Sequence, residues 1–226
     1  MAFMVGINLM INIIFEDNHL LVVEKPINIP VQKDDSGDED LLSILKGYIK
    51  HKYHKPGNVY LGLVHRLDRP VGGIMVFAKT SKCASRLSEQ IRNKTFKKVY
   101  YAVVLGKTAD NGIMEDSLLK NRKTNIVEIN PKGKKSVLNF ERIKYQEGFS
   151  LVKIDLETGR SHQIRVQFAS RGYPLYGDHR YNKNIVKNSQ IAVFATEIYF
   201  KHPISKETLH FSLKLPNRYP FNIFSE

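Results

Sequence analysis

Asp68 stands between Arg66 and Arg69 in the run Val64-His65-Arg66-Leu67-Asp68-Arg69-Pro70-Val71-Gly72-Gly73. Apolar runs at 59–64 and 74–78 flank this charged group, which therefore lies in a connection between two expected strands, where sites tend to be built. Pro70 restricts the backbone after the carboxylate, and Gly72 and Gly73 let other atoms approach it closely. The ordinary fate of such an aspartate is a surface ion pair, which contributes little. A backbone this constrained points instead to a side chain that is being aimed. The other His-Arg-Asp signature, a protein-kinase catalytic loop, fails: the required Asn, a Gly-rich phosphate loop and an Asp-Phe-Gly run are all missing.

A second stretch with chemical potential is Thr158-Gly159-Arg160-Ser161-His162-Gln163-Ile164-Arg165-Val166-Gln167-Phe168. Ile164, Val166 and Phe168 alternate with Gln163, Arg165 and Gln167. The period of two predicts a strand with one greasy face and one polar face that lines a polar cleft. From it Arg165 could reach a carboxylate bidentately, or a phosphate. Residues 99–104 predict a further strand, with Tyr100, Ala102 and Val104 on one face; the tyrosine alone reads as a strand or core aromatic. His51 and His54 lack further ligands and read as a basic helix terminus, so no metal site is expected.

The whole chain of 226 residues carries a net charge of +13. Five of its 22 acids lie together, at Asp34, Asp35, Asp38, Glu39 and Asp40; the other 17 oppose 35 Lys and Arg, a net +18. Such an excess argues for a polyanionic partner, nucleic acid above all. The acidic cluster itself reads as a solvated, flexible loop. The single cysteine, Cys83, excludes an intramolecular disulfide and fits a reducing compartment, here the cytoplasm. Residues 1–15 are apolar but broken by Gly6, Asn8 and Asn12, too short to span a membrane, so no membrane partner is expected.

Strands are expected at 11–15 and 20–24, joined by a turn at 16–19. Leu41, Leu42, Leu45, Tyr48 and Ile49 recur at helical spacing. A second helix follows Thr80 or Ser81 as cap and buries Ala84, Leu87, Ser88 and Ile91. Residues 106–135 are polar, with basic clusters at 120–123 and 132–135, and read as a loop or hairpin that reaches for phosphates. Strands at 137–144 and 149–156 come next, and closing strands at 191–195, 198–200 and 209–213. Strands outnumber helices without βαβ alternation, which predicts an α+β fold with a largely antiparallel sheet. The expected organisation is a short extension, residues 1–10, and one catalytic-sized domain, residues 11–226.

The two charged stretches together resemble the signatures of the RluA family of RNA pseudouridine synthases. The match comprises His-Arg-Leu-Asp-Arg-Pro-Val-Gly-Gly at 65–73, Thr-Gly-Arg-Ser-His-Gln-Ile-Arg at 158–165 and the Lys-x-Tyr-x-Ala-x-Val element at 98–104. Gly172-Tyr173-Pro174-Leu175-Tyr176-Gly177-Asp178 and His202-Pro203 fit as well. The chain departs from the family at Val71-Gly72-Gly73, where Thr-Ser-Gly is usual, and at Val193-Phe194-Ala195, where Leu-His-Ala is common. Many relatives carry an S4-type RNA-binding domain ahead of the first strand; none is expected here.

The resemblance implies a mixed, mostly antiparallel β-sheet with a central cleft and flanking helices. It also implies the isomerisation of uridine to pseudouridine in ribosomal or transfer RNA, with no cofactor and no metal. By resemblance Asp68 is the carboxylate that acts on the sugar, as nucleophile or as base; Arg165 keeps it ionised, and Tyr100 packs on the uracil and helps remove the proton from carbon 5. Arg66 matches a residue that holds the extruded nucleotide, His65 of the same motif is expected to bind substrate beside it, and Val193 forms part of an apolar pocket wall. A monomer acting on RNA, with no DNA partner, is expected. The other class to weigh is a non-catalytic RNA-binding or ribosome-assembly protein on the same fold.

Overall fold

The computed structural model describes residues 2–5, 9–184 and 186–225, and the side chains from residue 11 onward. Along the chain the elements are β1 (Ala2–Val5), β2 (Leu9–Glu16), β3 (Leu20–Lys25), α1 (Leu41–Lys52), β4 (Gly62–Leu63), β5 (Gly72–Ala78) and α2 (Ser81–Arg92). There follow β6 (Lys97–Leu105), β7 (Asn111–Lys120), β8 (Val127–Ile129), β9 (Lys134–Gln146), β10 (Phe149–Leu156), α3 (Gln163–Ser170), β11 (Val193–Lys201) and β12 (Thr208–Ser212). The α+β character is as expected. The chain forms two compact units, one of residues 1–97 and 197–213, the other of 98–196 and 214–226.

In the first unit β2 pairs antiparallel with β1 and β3, β3 with β5, and β5 with β4. Within the segment expected as an extension, Ala2–Val5 supplies strand β1. β12 pairs antiparallel with the Glu197–Lys201 part of β11. All seven residues of β5 are buried, which matches its unbroken apolar composition. Leu20, Val22, Ile74, Val76 and Ala78 from the sheet pack with Cys83 and Leu87 of α2 and with Phe96, Ile198 and Phe200. Cys83 is thus a core residue.

Both helices of this unit start on a side-chain cap. The Asp40 carboxylate accepts from Ser43 N at 3.0 Å, and the Thr80 hydroxyl from Cys83 N at 3.2 Å. Burial of Leu41, Ile44, Leu45, Tyr48 and Ile49 holds α1 in place. At its C-terminal end Glu16 of β2 gathers four donors: Tyr48 Oη at 2.7 Å, Lys52 Nζ at 2.6 Å, Tyr53 Oη at 2.8 Å and Lys79 Nζ at 2.9 Å. Burial alone would raise the pKa of Glu16, but these donors bind the charged form and lower it to about 2.

The second unit is an antiparallel ladder in which β6 pairs with β10, β10 with β9, β9 with β7 and β7 with β8. The polar stretch of 106–135 is therefore largely a hairpin, β7 and β8. The turn at 130–133 follows, closed by Gly133 N on Asn130 O at 2.8 Å. A Cβ at Gly133 would lie 2.4 Å from the carbonyl carbon of Leu118, so the close approach of this turn to β7 requires glycine.

The strand expected across 163–168 is a helix, α3. Every residue from Gln163 to Phe168 is buried, the polar ones included. A helix covered on all sides shows no amphipathic period, and the chance alternation of polar and apolar residues imitated a strand. Gln163 Oε1 accepts from Thr158 Oγ1 at 2.8 Å and from Arg160 N at 3.0 Å, and Gln167 Nε2 donates to an Asp116 carboxylate oxygen at 2.7 Å. The polar side chains that mimicked a cleft face thus find partners inside the protein, although Gln163 Nε2 and Gln167 Oε1 are buried without one among the described residues.

Because the folded-state pKa of Glu16 lies below its unfolded value of 4.5, its contribution is complete above that pH and is lost as the pH falls toward 2. Glu16→Gln should lower stability at pH 7 by about 2 kcal/mol, the scale of charge-assisted hydrogen bonds. It should also flatten the fall in stability between pH 4.5 and 2, as followed by urea unfolding.

Candidate active site

In the first unit the Asp68 segment leaves β4 and turns into β5, with Val71 N closing on Asp68 O at 2.9 Å. Asp68 is half-buried, Leu67 is buried, and Arg66 and Arg69 are exposed. His65 faces inward: its Nε2 accepts from Val76 N of β5 at 3.1 Å, and its ring lies 5.4 Å from that of Phe96. That bond commits His65 to anchoring the segment on the sheet. Arg66 Nη1 donates to Gln32 Oε1 at 3.3 Å.

The strongest anchor of this segment is a residue outside the motif. Lys25, at the end of β3, is fully buried, and its Nζ donates to the carbonyl oxygens of Pro26 at 2.8 Å, Arg69 at 2.9 Å and Val71 at 2.9 Å. An ammonium has three hydrogens: one goes to the carbonyl just after β3, and two go to carbonyls that frame the turn after Asp68. Burial pushes the Lys25 pKa down to about 7, the Asp68 carboxylate pulls it up, and the Arg69 charge adds to the lowering. Sequence reading passed over Lys25, although a lysine closing an apolar strand and followed by proline is a signal in its own right.

The acidic loop is also more engaged than its composition predicts. Asp38 forms an ion pair with Arg69 Nη2, and Asp34 lies 3.9 Å from Arg69 Nη1. The Asp34 side chain closes a local turn on Ser36, and Asp40 is buried as the cap of α1. The cluster is exposed at residues 34–39, as expected of a solvated loop; Asp40 is the buried exception, and the pairing of Asp34 and Asp38 with Arg69 is the contact that sequence spacing does not reveal.

In the second unit Tyr100 is buried on β6, and Val193 is buried at the start of β11. Arg165 lies in the first turn of α3, where it forms a bidentate pair with Asp178: Nε to Oδ2 at 2.9 Å and Nη2 to Oδ1 at 2.7 Å. Asp178 Oδ1 also accepts from Arg180 N at 3.0 Å and Tyr181 N at 3.3 Å. Burial acts to raise the Asp178 pKa; the Arg165 pair and the two amides prevail and hold it below the usual carboxylate value. The Tyr181 ring stacks under the guanidinium at 5.2 Å, and its hydroxyl binds His162 Nδ1 at 2.7 Å and Val127 N at 2.9 Å.

The segment that carries Asp178 is hydrogen-bonded along β6, with Leu105 N on Pro174 O at 3.0 Å and Tyr176 N on Val103 O at 2.9 Å. Gly177, immediately before it, has a positive φ of 69°, and a Cβ there would meet Gln190 O at 2.3 Å. Both facts require glycine. Asp178 was visible in the sequence only as the end of the 172–178 element that fits the family; that it orients Arg165 depends on a contact 13 residues away.

This arrangement matches one protein family. A family model described as RNA pseudouridylate synthase covers residues 19–170. The chain is 34% identical over 207 residues to an uncharacterized RNA pseudouridine synthase, YhcT, of Bacillus subtilis, covering 88% of this chain and 67% of that protein. It is 33% identical over 205 residues to ribosomal large subunit pseudouridine synthase C of Vibrio vulnificus, covering 87% of this chain and 63% of the relative. The same-named protein of Haemophilus influenzae is 34% identical over 217 residues, covering 91% and 66%. The chain thus spans about two thirds of the length of these relatives. Two human structures share the fold: RNA pseudouridylate synthase domain containing 4, with a TM-score of 0.76 at 20% identity over 91% of this chain and 88% of that one, and domain containing 1, at 0.74 and 19% over 92% and 84%. The chain belongs to the RNA pseudouridylate synthase family. Its relatives named synthase C are of the RluA type, in agreement with the motif resemblance.

Lys25→Met keeps the apolar stem but strips three carbonyls, that of Val71 buried and the other two part-buried, of their donor. Groups left unsatisfied in this way cost ~1–3 kcal/mol each. The substitution should therefore lower stability by about 3 kcal/mol or more in urea unfolding; a loss below ~1 kcal/mol would show that the tether is unimportant.

Proposed function

We propose that this protein isomerises specific uridines to pseudouridine in RNA, ribosomal or transfer, acting as a monomer in the cytoplasm. Family membership, together with retention of Asp68, Tyr100 and Arg165, carries the reading. In the reaction the bond between ribose carbon 1 and uracil nitrogen 1 breaks, the base turns over, and a bond forms from the same ribose carbon to carbon 5. Carbon 5 then gives up its proton and nitrogen 1 gains one, so no oxidant, energy donor or cofactor is consumed.

Asp68 supplies the carboxylate that acts at the sugar, as nucleophile or as base. The Lys25 tether supports that role, because it restrains the backbone on both sides of Pro70 and so limits the positions open to the carboxylate. Arg165 provides the cation that keeps a carboxylate ionised in a site closed by the base. Its pair with Asp178 fixes the guanidinium plane before substrate arrives. Tyr100 packs on the uracil and assists loss of the carbon 5 proton, and Val193 forms apolar wall beside it. Arg66, exposed on the Asp68 segment, holds the extruded nucleotide.

The basic surface supplies affinity through phosphates, which makes binding steeply salt-dependent. No helix among the described residues is long and apolar enough to cross a membrane.

Tritium release from RNA labelled at carbon 5 of uridine tests the reading. Wild-type protein should release tritium from unmodified ribosomal or transfer RNA. Asp68→Asn should lose at least ~1,000-fold of the rate, within the range of a positioned catalytic group, while keeping RNA affinity within a few fold. Tight binding with no release from either RNA class, free or in ribosomal particles, would identify a binder and overturn the proposal.

A further inference from the structure

The buried cations of this protein show a consistent pattern. Lys25 has three carbonyls, Lys79 has the Glu16 carboxylate and the Asp17 carbonyl, and Arg165 has Asp178. Lys98 breaks the pattern. Its side chain is only partly exposed, yet among the described residues it forms no hydrogen bond and no ion pair, and burial alone depresses its pKa. Its Nζ keeps some contact with solvent, but an ammonium partly withdrawn from water and without a protein acceptor still opposes folding.

Two details of its position bear on what the acceptor is. Lys98 and Tyr100 are two apart on β6, so their side chains leave the same face of the strand. Lys98 Nζ reaches Gly159, at the opening of the Thr158–Arg165 motif, where a Cβ would lie only 3.0 Å from the nitrogen. The ammonium therefore lies against the backbone of Gly159. Lys98 is thus bracketed by the tyrosine assigned to the uracil and by the motif that ends in Arg165.

We infer that Lys98 is a substrate-positioning contact: its ammonium receives a phosphate oxygen of the RNA at the nucleotide that lies over Tyr100. This rests on the RNA reading above. A phosphate suits the position because it delivers a full negative charge to a compact, rotatable donor whose own protein neighbours leave it unpaired. The cost of holding an unpaired ammonium in the free protein is then recovered when RNA binds.

The test uses the full-length protein, unmodified ribosomal RNA transcripts, filter binding across a salt series, tritium release and urea unfolding. Lys98→Met should weaken RNA binding about tenfold at low salt and reduce the slope of log affinity against log salt by ~0.7–0.9, the release expected for one phosphate contact. Stability should stay the same or rise, because an uncompensated charge has been removed; a lysine with a merely structural role would give the opposite. Lys98→Arg should recover most of the lost salt slope.

If wild type releases tritium and Lys98→Met keeps both its affinity and its salt slope, the inference is overturned while the functional reading stands. If wild type neither binds nor modifies any RNA offered, the functional reading falls first and this inference falls with it.

Discussion

A fully buried ammonium must find acceptors, and in this protein that demand shapes the segment on which the proposed chemistry depends. Lys25 spends its three hydrogens on Pro26, Arg69 and Val71. One acceptor belongs to the chain leaving β3, and two to the turn after Asp68, more than forty residues later. The Asp68 turn is thereby bound to the end of a central strand, with His65 holding the preceding residues on β5. Loops are ordinarily the mobile parts of a fold. A carboxylate that must meet a sugar in a defined geometry needs its loop restrained, and a charged tether inside the protein does this more strongly than neutral hydrogen bonds.

The second unit follows the same logic with the signs exchanged. Arg165 is held by Asp178, and Asp178 in turn by two backbone amides and by a glycine that no other residue replaces. Tyr181 covers the guanidinium and joins it to His162 and to the start of β8. An arginine so fixed presents its remaining surface without paying to be ordered when the substrate arrives. In this setting Lys98 stands out as a difference in kind: among the described residues no acceptor answers its charge.

Away from the site, the strand and helix spacings proved a good guide. Leu41, Leu45, Tyr48 and Ile49 lie on the buried face of α1, and Thr80 caps α2, as their spacing predicts. These features are local: a helix face repeats within four residues, and a cap acts on the next turn. The Gln163–Phe168 run failed for the same reason. Its polar residues are paired with Thr158, Asp116 and Asp178, and a residue whose partner lies far along the chain cannot be told by its period from one that faces water.

What the sequence by itself determined was the family and the motifs from which the proposed reactive groups are drawn. The order and spacing of the 65–73, 98–104 and 158–165 motifs are properties of the covalent chain, and the excess of lysine and arginine sets the sign of the partner's charge. Only the tertiary structure decided how those groups are held. Lys25, Asp178 and the Asp34–Asp38 loop became informative through contacts that cross 13 to 46 residues of chain. The physical reason is that burial and pairing turn a charge from a solvated decoration into an anchor, and both are set by packing between elements distant in sequence.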